Sequence, residues 1–417
     1  MKINASEKMF ESKYLMFIGF FIFMLPWNFI NSQTAILSGI LFIWTIFKYK
    51  TDFYKNFIDN LKFLPLLLLS LFILFKFTSI LWSSNYLEGL DHEVNFNKYY
   101  MLFVPAILVG LHKDNVLKII KILTVSFSLY AIYSILIYLE IIYIEGSSSS
   151  NPKGHLRFLI VSQYMVIGFF VGALISYYSK IKNEKLLFLV ISSLCLICLF
   201  INNSRTAQLS FLIIFIMFSI IFFRKYVFNL KAILIFLIIC MSSTYLLYKN
   251  NKLTRFKAGY DEFKTAIENK EYKGSFGLRL YFNVAGLEIL KSNPIIGVGS
   301  QDNRAILQEM QKNEPNYKGR IINHFHSEHM DTLTAYGLVG YSLLFFSIVF
   351  LIYSLRKQNL YYYMSLAVFL SLFINSLANK TLSVKPLNYI YILFFILFAI
   401  IAHKSEKEEK EKIENNS

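Results

Sequence analysis

Three groups of residues have types and spacings that could do chemistry. Arg205 lies in NNSRTAQLS and Arg279 in GSFGLRLYF, while His324, His326 and His329 cluster in NHFHSEHMDTLTAYGLVG. A guanidinium is permanently charged, and its planar fork suits phosphate oxygens. A histidine can take a proton from a hydroxyl near neutral pH. Together these groups suit sugar transfer from a lipid-linked diphosphate. The arginines would bind the diphosphate and stabilise its departure, and a histidine would activate the acceptor hydroxyl. No carboxylate nucleophile is needed if that hydroxyl attacks the anomeric carbon directly, with inversion.

Those residues need a scaffold, and the composition says which kind. Of 417 residues, 56% are hydrophobic and only 16% charged. Ordinary soluble domains run about 45–50% apolar and about 25% charged. Disorder, a coiled coil and an ordinary cytosolic enzyme are thereby excluded. Stretches approaching the roughly 20 apolar residues of a membrane span occur at 14–30, 34–47, 63–82, 99–111, 118–143, 158–178, 185–201, 207–223, 230–248, 333–354, 360–378 and 387–402. We expect an all-α polytopic membrane protein of about twelve spans. The first follows Lys2, Lys8 and Lys13 but has no small-residue cleavage site, so it reads as a retained helix rather than a signal peptide.

Lysine and arginine in short loops set orientation. With the N-terminus inside, the inner loops carry fifteen, beginning with Lys48, Lys50, Lys55 and Lys62. The short outer loops carry six: Lys98, Lys153, Arg157, Arg205, Lys380 and Lys385. Both ends are then expected in the cytoplasm. The net charge of +16 is accordingly spread by topology, not gathered into a nucleic-acid footprint. Cys195, Cys198 and Cys240 all lie within apolar runs. They exclude a disulfide framework, and the first two read as buried membrane cysteines rather than a redox CxxC.

The expected organisation is spans 1–9 over 1–248, an outer loop over 249–332, spans 10–12 over 333–402, and a mixed-charge tail over 403–417. A loop that long is normally functional. Over 249–326 it holds thirteen Lys/Arg against eight Asp/Glu. Apolar spacing predicts helices at 253–270, 277–293 and 304–313. In the second, Leu280, Val284 and Leu287 share one face, and Arg279 and Asn283 another.

HFHSEHMDTLTAYGLVG resembles a motif of the O-antigen ligase and polymerase superfamily, with His326 as its histidine and Gly337 and Gly340 as its glycines. Arg279 followed by Asn293, Pro294, Gly297 and Gly299 resembles the same family, as does Ser204-Arg205-Thr206 after the seventh span. Ser327 stands where the family usually has Asn. The resemblance implies a GT-C-like, metal-independent, inverting glycosyltransferase in the bacterial inner membrane, working on the periplasmic side without a cofactor. It implies an undecaprenyl diphosphate-linked glycan as donor and lipid A–core as acceptor, amid membrane lipids and with no nucleic acid. It gives His326, Arg205 and Arg279 as essential residues. His324 and His329 are further candidates for substrate binding. Relatives within the superfamily include O-antigen polymerases, and an O-linked protein glycosylation enzyme is a further alternative. His324-Phe325-His326-Ser327-Glu328-His329 is also close to the zinc motif of the metallo-β-lactamases. That motif belongs to a soluble β-rich fold, whereas here it runs into a membrane helix. A twelve-span glycolipid transporter is the alternative of another class. The long segment argues against it, being off-centre and outside rather than central and cytoplasmic.

Overall fold

The computed structural model describes residues 5–27, 29, 32–98, 100–202, 204–227 and 254–414. The expected span at 230–248, with Cys240, lies outside them. The described chain is a helical bundle capped at one end by a smaller helical unit. Ten helices precede that unit: α1 (Ala5–Met24), α2 (Gln33–Tyr49), α3 (Thr51–Leu61), α4 (Leu64–Thr78), α5 (Tyr86–Asn97), α6 (Tyr100–Gly110), α7 (Lys113–Tyr138), α8 (Phe158–Tyr178), α9 (Lys182–Ile201) and α10 (Arg205–Val227). The cap holds α11 (Thr254–Glu268), α12 (Gly274–Ser292) and α13 (Asp302–Asn313). The chain then returns through α14 (Glu328–Ser354), α15 (Asn359–Ser376) and α16 (Lys385–Glu414).

Among the described residues seven helices are long and apolar enough to cross a membrane: Leu64–Trp82, Lys113–Tyr138, Phe158–Tyr178, Lys182–Ile201, Arg205–Arg224, Glu328–Ser354 and Lys385–Glu408. The expected spans at 34–47 and 99–111 are helical but short, α2 with 17 residues and α6 with 11 around Pro105. Burial sorts the helices by composition. Residues 387–402 of α16 are apolar all round and buried throughout, apart from the polar Asn388 also buried among them, as expected of a helix surrounded by others. In α9, Leu186, Leu187, Leu189 and Val190 face outward while Cys195 and Cys198 are buried. An outward apolar face is what lipid contact requires.

Several residues expected on one side are close in space. Residues assigned to inner loops meet at one end: Lys113 with Glu408, Lys121 with Glu184, and Lys407 with Asp59. Two residues assigned to outer loops lie by the cap, Arg205 near Arg279 and Lys380 near Asp331. Two helices were not foreseen. Amphipathic α3 has no buried residue, and α5 folds the acidic segment after α4 against the cap.

The cap has its own core of Tyr281, Phe282, Ala285, Ile289, Val298, Leu307, Tyr317 and Phe325. Its three helices fall close to the expected ranges, but α12 packs by a different face. Val284 and Leu287 are 39% and 48% exposed, whereas Phe282 is fully buried. The aromatic pair Tyr281 and Phe282 offers more area to bury than the aliphatic row, and Tyr281 and Tyr317 rings pack at 4.9 Å.

Candidate active site

Burial of Phe325 organises the histidine segment. Its ring enters the cap core, while the neighbouring His324 and His326 rings lie with centroids 4.3 Å apart and His326 also lies 5.7 Å from the Phe282 ring. Upstream, the buried Gln311 amide grips the chain at Ile322, donating to its carbonyl at 2.7 Å and accepting from its N–H at 2.9 Å. Downstream, Ser327 caps α14 by accepting from the Met330 N–H at 3.3 Å. Serine and asparagine are both leading N-cap residues, so Ser327 serves where the related motif has Asn. Between these anchors His326 has φ +51°, a left-handed conformation that side-chain-bearing residues seldom adopt and that clusters at functional sites.

The glycines of the motif are structural. Gly297 (φ +73°) and Gly337 (φ +61°) lie back to back at a kink in α14. A Cβ on Gly297 would fall 2.4 Å from the Ala335 carbonyl oxygen, and one on Gly337 2.3 Å from that of Ile295. The contact is laced by backbone bonds. Val298 and Gly299 N–H groups donate to Thr334 and Ala335 carbonyls at 3.0 Å each, and Leu338 and Val339 donate to Pro294 and Ile295 at 2.9 and 3.0 Å. The Asn293–Gly299 stretch and the α14 kink thus form one clip that fastens the cap to the bundle.

Arg205 opens α10 and is exposed, whereas Arg279 on α12 is half-buried. The two approach closely enough that Arg279, whose affinity for its proton is lowered first by burial, is lowered further by the Arg205 charge. A like-charge pair of this kind favours an anion nearby. His326 is likewise shifted down, by burial first and then by the charges of Arg279 and Lys380. His324 is pushed down to about 4, by burial first and then by Lys380 and His326. Both imidazoles are therefore neutral at pH 7 and able to accept a proton.

Behind the histidines lies a buried polar network. Glu328 accepts from the Thr381 and Ser383 N–H groups at 3.0 Å each and from the Ser383 hydroxyl at 2.8 Å. Asp331 accepts from Arg304 Nη2 at 3.2 Å and Asn303 Nδ2 at 3.3 Å, with Lys380 Nζ at 3.9 Å. Deeper still, Glu93 of α5 meets Lys76 of α4 at 2.9 Å and accepts from Ser300 and Tyr336 hydroxyls at 2.7 Å each. Burial acts to raise the Glu93 carboxyl, but Lys76 and these hydrogen bonds prevail and hold it at about 2. Asp302 accepts from the Ser83 hydroxyl at 2.7 Å and the Ser84 N–H at 2.6 Å, tying the end of α4 to the cap.

The His324 and His326 rings are thus adjacent, with the charge of Arg279 acting on His326 and that of Arg205 on Arg279. His329 is directed elsewhere, with Nε2 3.0 Å from the Phe373 carbonyl and Nδ1 3.0 Å from the Tyr341 hydroxyl. It borders an apolar cavity of about 300 Å³ between α10, α14 and α15, lined by Met217, Leu344, Phe345, Phe369 and Phe373 among others. With His329 turned to Phe373 and Glu328 committed to the 381–383 backbone, the zinc-like motif does not converge. Among the described residues no three His, Cys, Asp or Glu are grouped to hold a metal ion. Sequence reasoning missed Lys76, Arg304 and Asp331, met Glu328 only within the zinc-like motif, and took Lys380 only as an orientation marker. Lys76, a lysine inside an apolar span, was the available signal, because such charges are costly and usually functional.

Residues 187–345 match the family model described as O-antigen ligase. The resemblance to the O-antigen ligase and polymerase superfamily stands on this match, whose limits enclose Arg205, Arg279 and His326. No curated protein matches the chain.

Proposed function

We propose that the protein is an O-antigen ligase of the bacterial inner membrane. It would transfer a glycan from undecaprenyl diphosphate to lipid A–core on the periplasmic side, without a metal. The reading is supported by a histidine in a left-handed turn that feels the charge of Arg279, which in turn feels that of Arg205, within the family-matching segment. His326 takes the proton of the acceptor hydroxyl as its oxygen attacks the anomeric carbon. The bond from that carbon to the diphosphate oxygen breaks on the opposite face, and the configuration inverts. The departing diphosphate keeps the bonding electrons, and Arg205 and Arg279 stabilise its charge. His324 stands beside the base as a polar contact for substrate. The apolar cavity beside His329 suits part of an isoprenoid chain.

The acceptor is tested by deleting the gene and examining lipopolysaccharide on gels. Core devoid of polymer, with polymer accumulating on the lipid carrier, is the expected outcome. Core bearing a single repeat would instead mark a polymerase, and unchanged lipopolysaccharide with unglycosylated surface proteins a protein-glycosylating enzyme.

A further inference from the structure

We infer that Lys380 is a third cationic residue for the diphosphate of the donor, carried into the site by a loop that the histidine segment itself anchors. The inference rests on the reading of the site given above. Lys380 lies between α15 and α16, beyond the family-matching segment at 187–345. Its loop is sewn to the residues directly after His326. The Glu328 N–H donates to the Asn379 carbonyl at 3.1 Å, and the Ser327 hydroxyl donates to that of Ser376 at 3.1 Å. On the other side of Lys380, Glu328 takes the Thr381 and Ser383 N–H groups at 3.0 Å each. The backbone around Lys380 is therefore fixed relative to the base.

The ammonium is not explained by its carboxylate neighbour. Lys380 Nζ is 3.9 Å from Asp331, beyond hydrogen-bonding reach, whereas Asp331 already has Arg304 at 3.2 Å and Asn303 at 3.3 Å. Asp331 is thus shared by two cations, with the Glu328 carboxylate near both, and the Lys380 charge also acts on the two imidazoles. With a side chain only 20% exposed, an ammonium 3.9 Å from its carboxylate and with no hydrogen bond among the described residues is costly to hold. A diphosphate oxygen would supply the acceptor that this ammonium lacks. Lys380 and the Arg205–Arg279 pair would then approach it from separate chain segments.

The test is ligand binding by the purified full-length protein in lipid nanodiscs, with farnesyl diphosphate and farnesyl monophosphate as probes. Lys380→Gln should weaken diphosphate binding by roughly tenfold, the scale of one charge-assisted hydrogen bond, and monophosphate binding by less. Lys380→Arg should restore most of it. Unchanged diphosphate binding in Lys380→Gln would overturn the inference. So would equal weakening of both probes without rescue by arginine, which would mark the lysine as part of the loop's fold. The outcome is separable from the transferase reading. Lys380-dependent diphosphate binding in a protein whose glycan transfer survives His326→Ala would sink that reading and leave this one. Lys380-independent binding in an active transferase would do the reverse.

Discussion

At the scale of single residues, the site depends on keeping one imidazole neutral beside permanent cations. Arg279 and Lys380 disfavour protonation of His326, and burial disfavours it more. Its proton affinity in the folded protein is thus below that of an ordinary histidine, near 6.5. The basic form persists as pH falls through 6.5, and activity should be lost only on passing through the lower folded value. A pH profile of transfer in membranes, with an acid limb clearly below 6.5, is the expected result. His326→Ala should reduce turnover by about 10²–10⁴-fold, the range typical of a lost general base, with the protein still inserted. Arg205→Ala and Arg279→Ala should each abolish polymer transfer on lipopolysaccharide gels. Full activity in His326→Ala would refute its role as base.

At the scale of elements, the motif glycines act through the clip between the cap and α14. Gly337→Ala would press a methyl to within 2.3 Å of a backbone oxygen and force an alanine to φ +61°. Backbone strain and overpacking together should cost at least about 1–3 kcal/mol. The measurable result is a lowered unfolding temperature in detergent, together with protease sensitivity between residues 254 and 326. Gly39, whose added Cβ would meet nothing within 4 Å, provides a control in Gly39→Ala, which should leave both unchanged. Glu328→Gln keeps the size of the side chain but removes the charge that the 381–383 amides hold. It should loosen the Lys380 loop without affecting the clip.

At the scale of the whole molecule, the Lys76–Glu93 pair locks bundle, α5 and cap together through Ser300 and Tyr336. Removing one partner of a buried pair typically costs about 3–5 kcal/mol, so Lys76→Met should destabilise the fold on that scale. The pH dependence follows from the depressed Glu93 carboxyl. Its folded value of about 2 lies below the 4.5 of an ordinary glutamate. The stability it contributes, about 3 kcal/mol by linkage, is fully present above 4.5 and disappears as pH falls toward 2. Acid unfolding in detergent should shift to lower acidity in Glu93→Gln, which lacks that contribution.

Much of this was legible in the residues themselves. The seven described helices long and apolar enough to cross a membrane fall on apolar runs, because desolvating a backbone or a charge in lipid is costly wherever the chain goes. Arg205, Arg279 and His326 could be singled out because their types are expensive at a membrane face and their order matches a known motif. What the sequence could not supply is partnership across distance. Nothing local says that Glu93 meets Lys76, that Asp331 is shared by Arg304 and Lys380, or that His329 turns from its neighbours toward Phe373. In α12 the pattern allowed two apolar faces, and the larger aromatic area of Tyr281 and Phe282 decided which was buried. Lys380 illustrates the division. Its charge alone fixed which side of the membrane it was expected on, while only the fold of the loop around Glu328 set it beside the histidines.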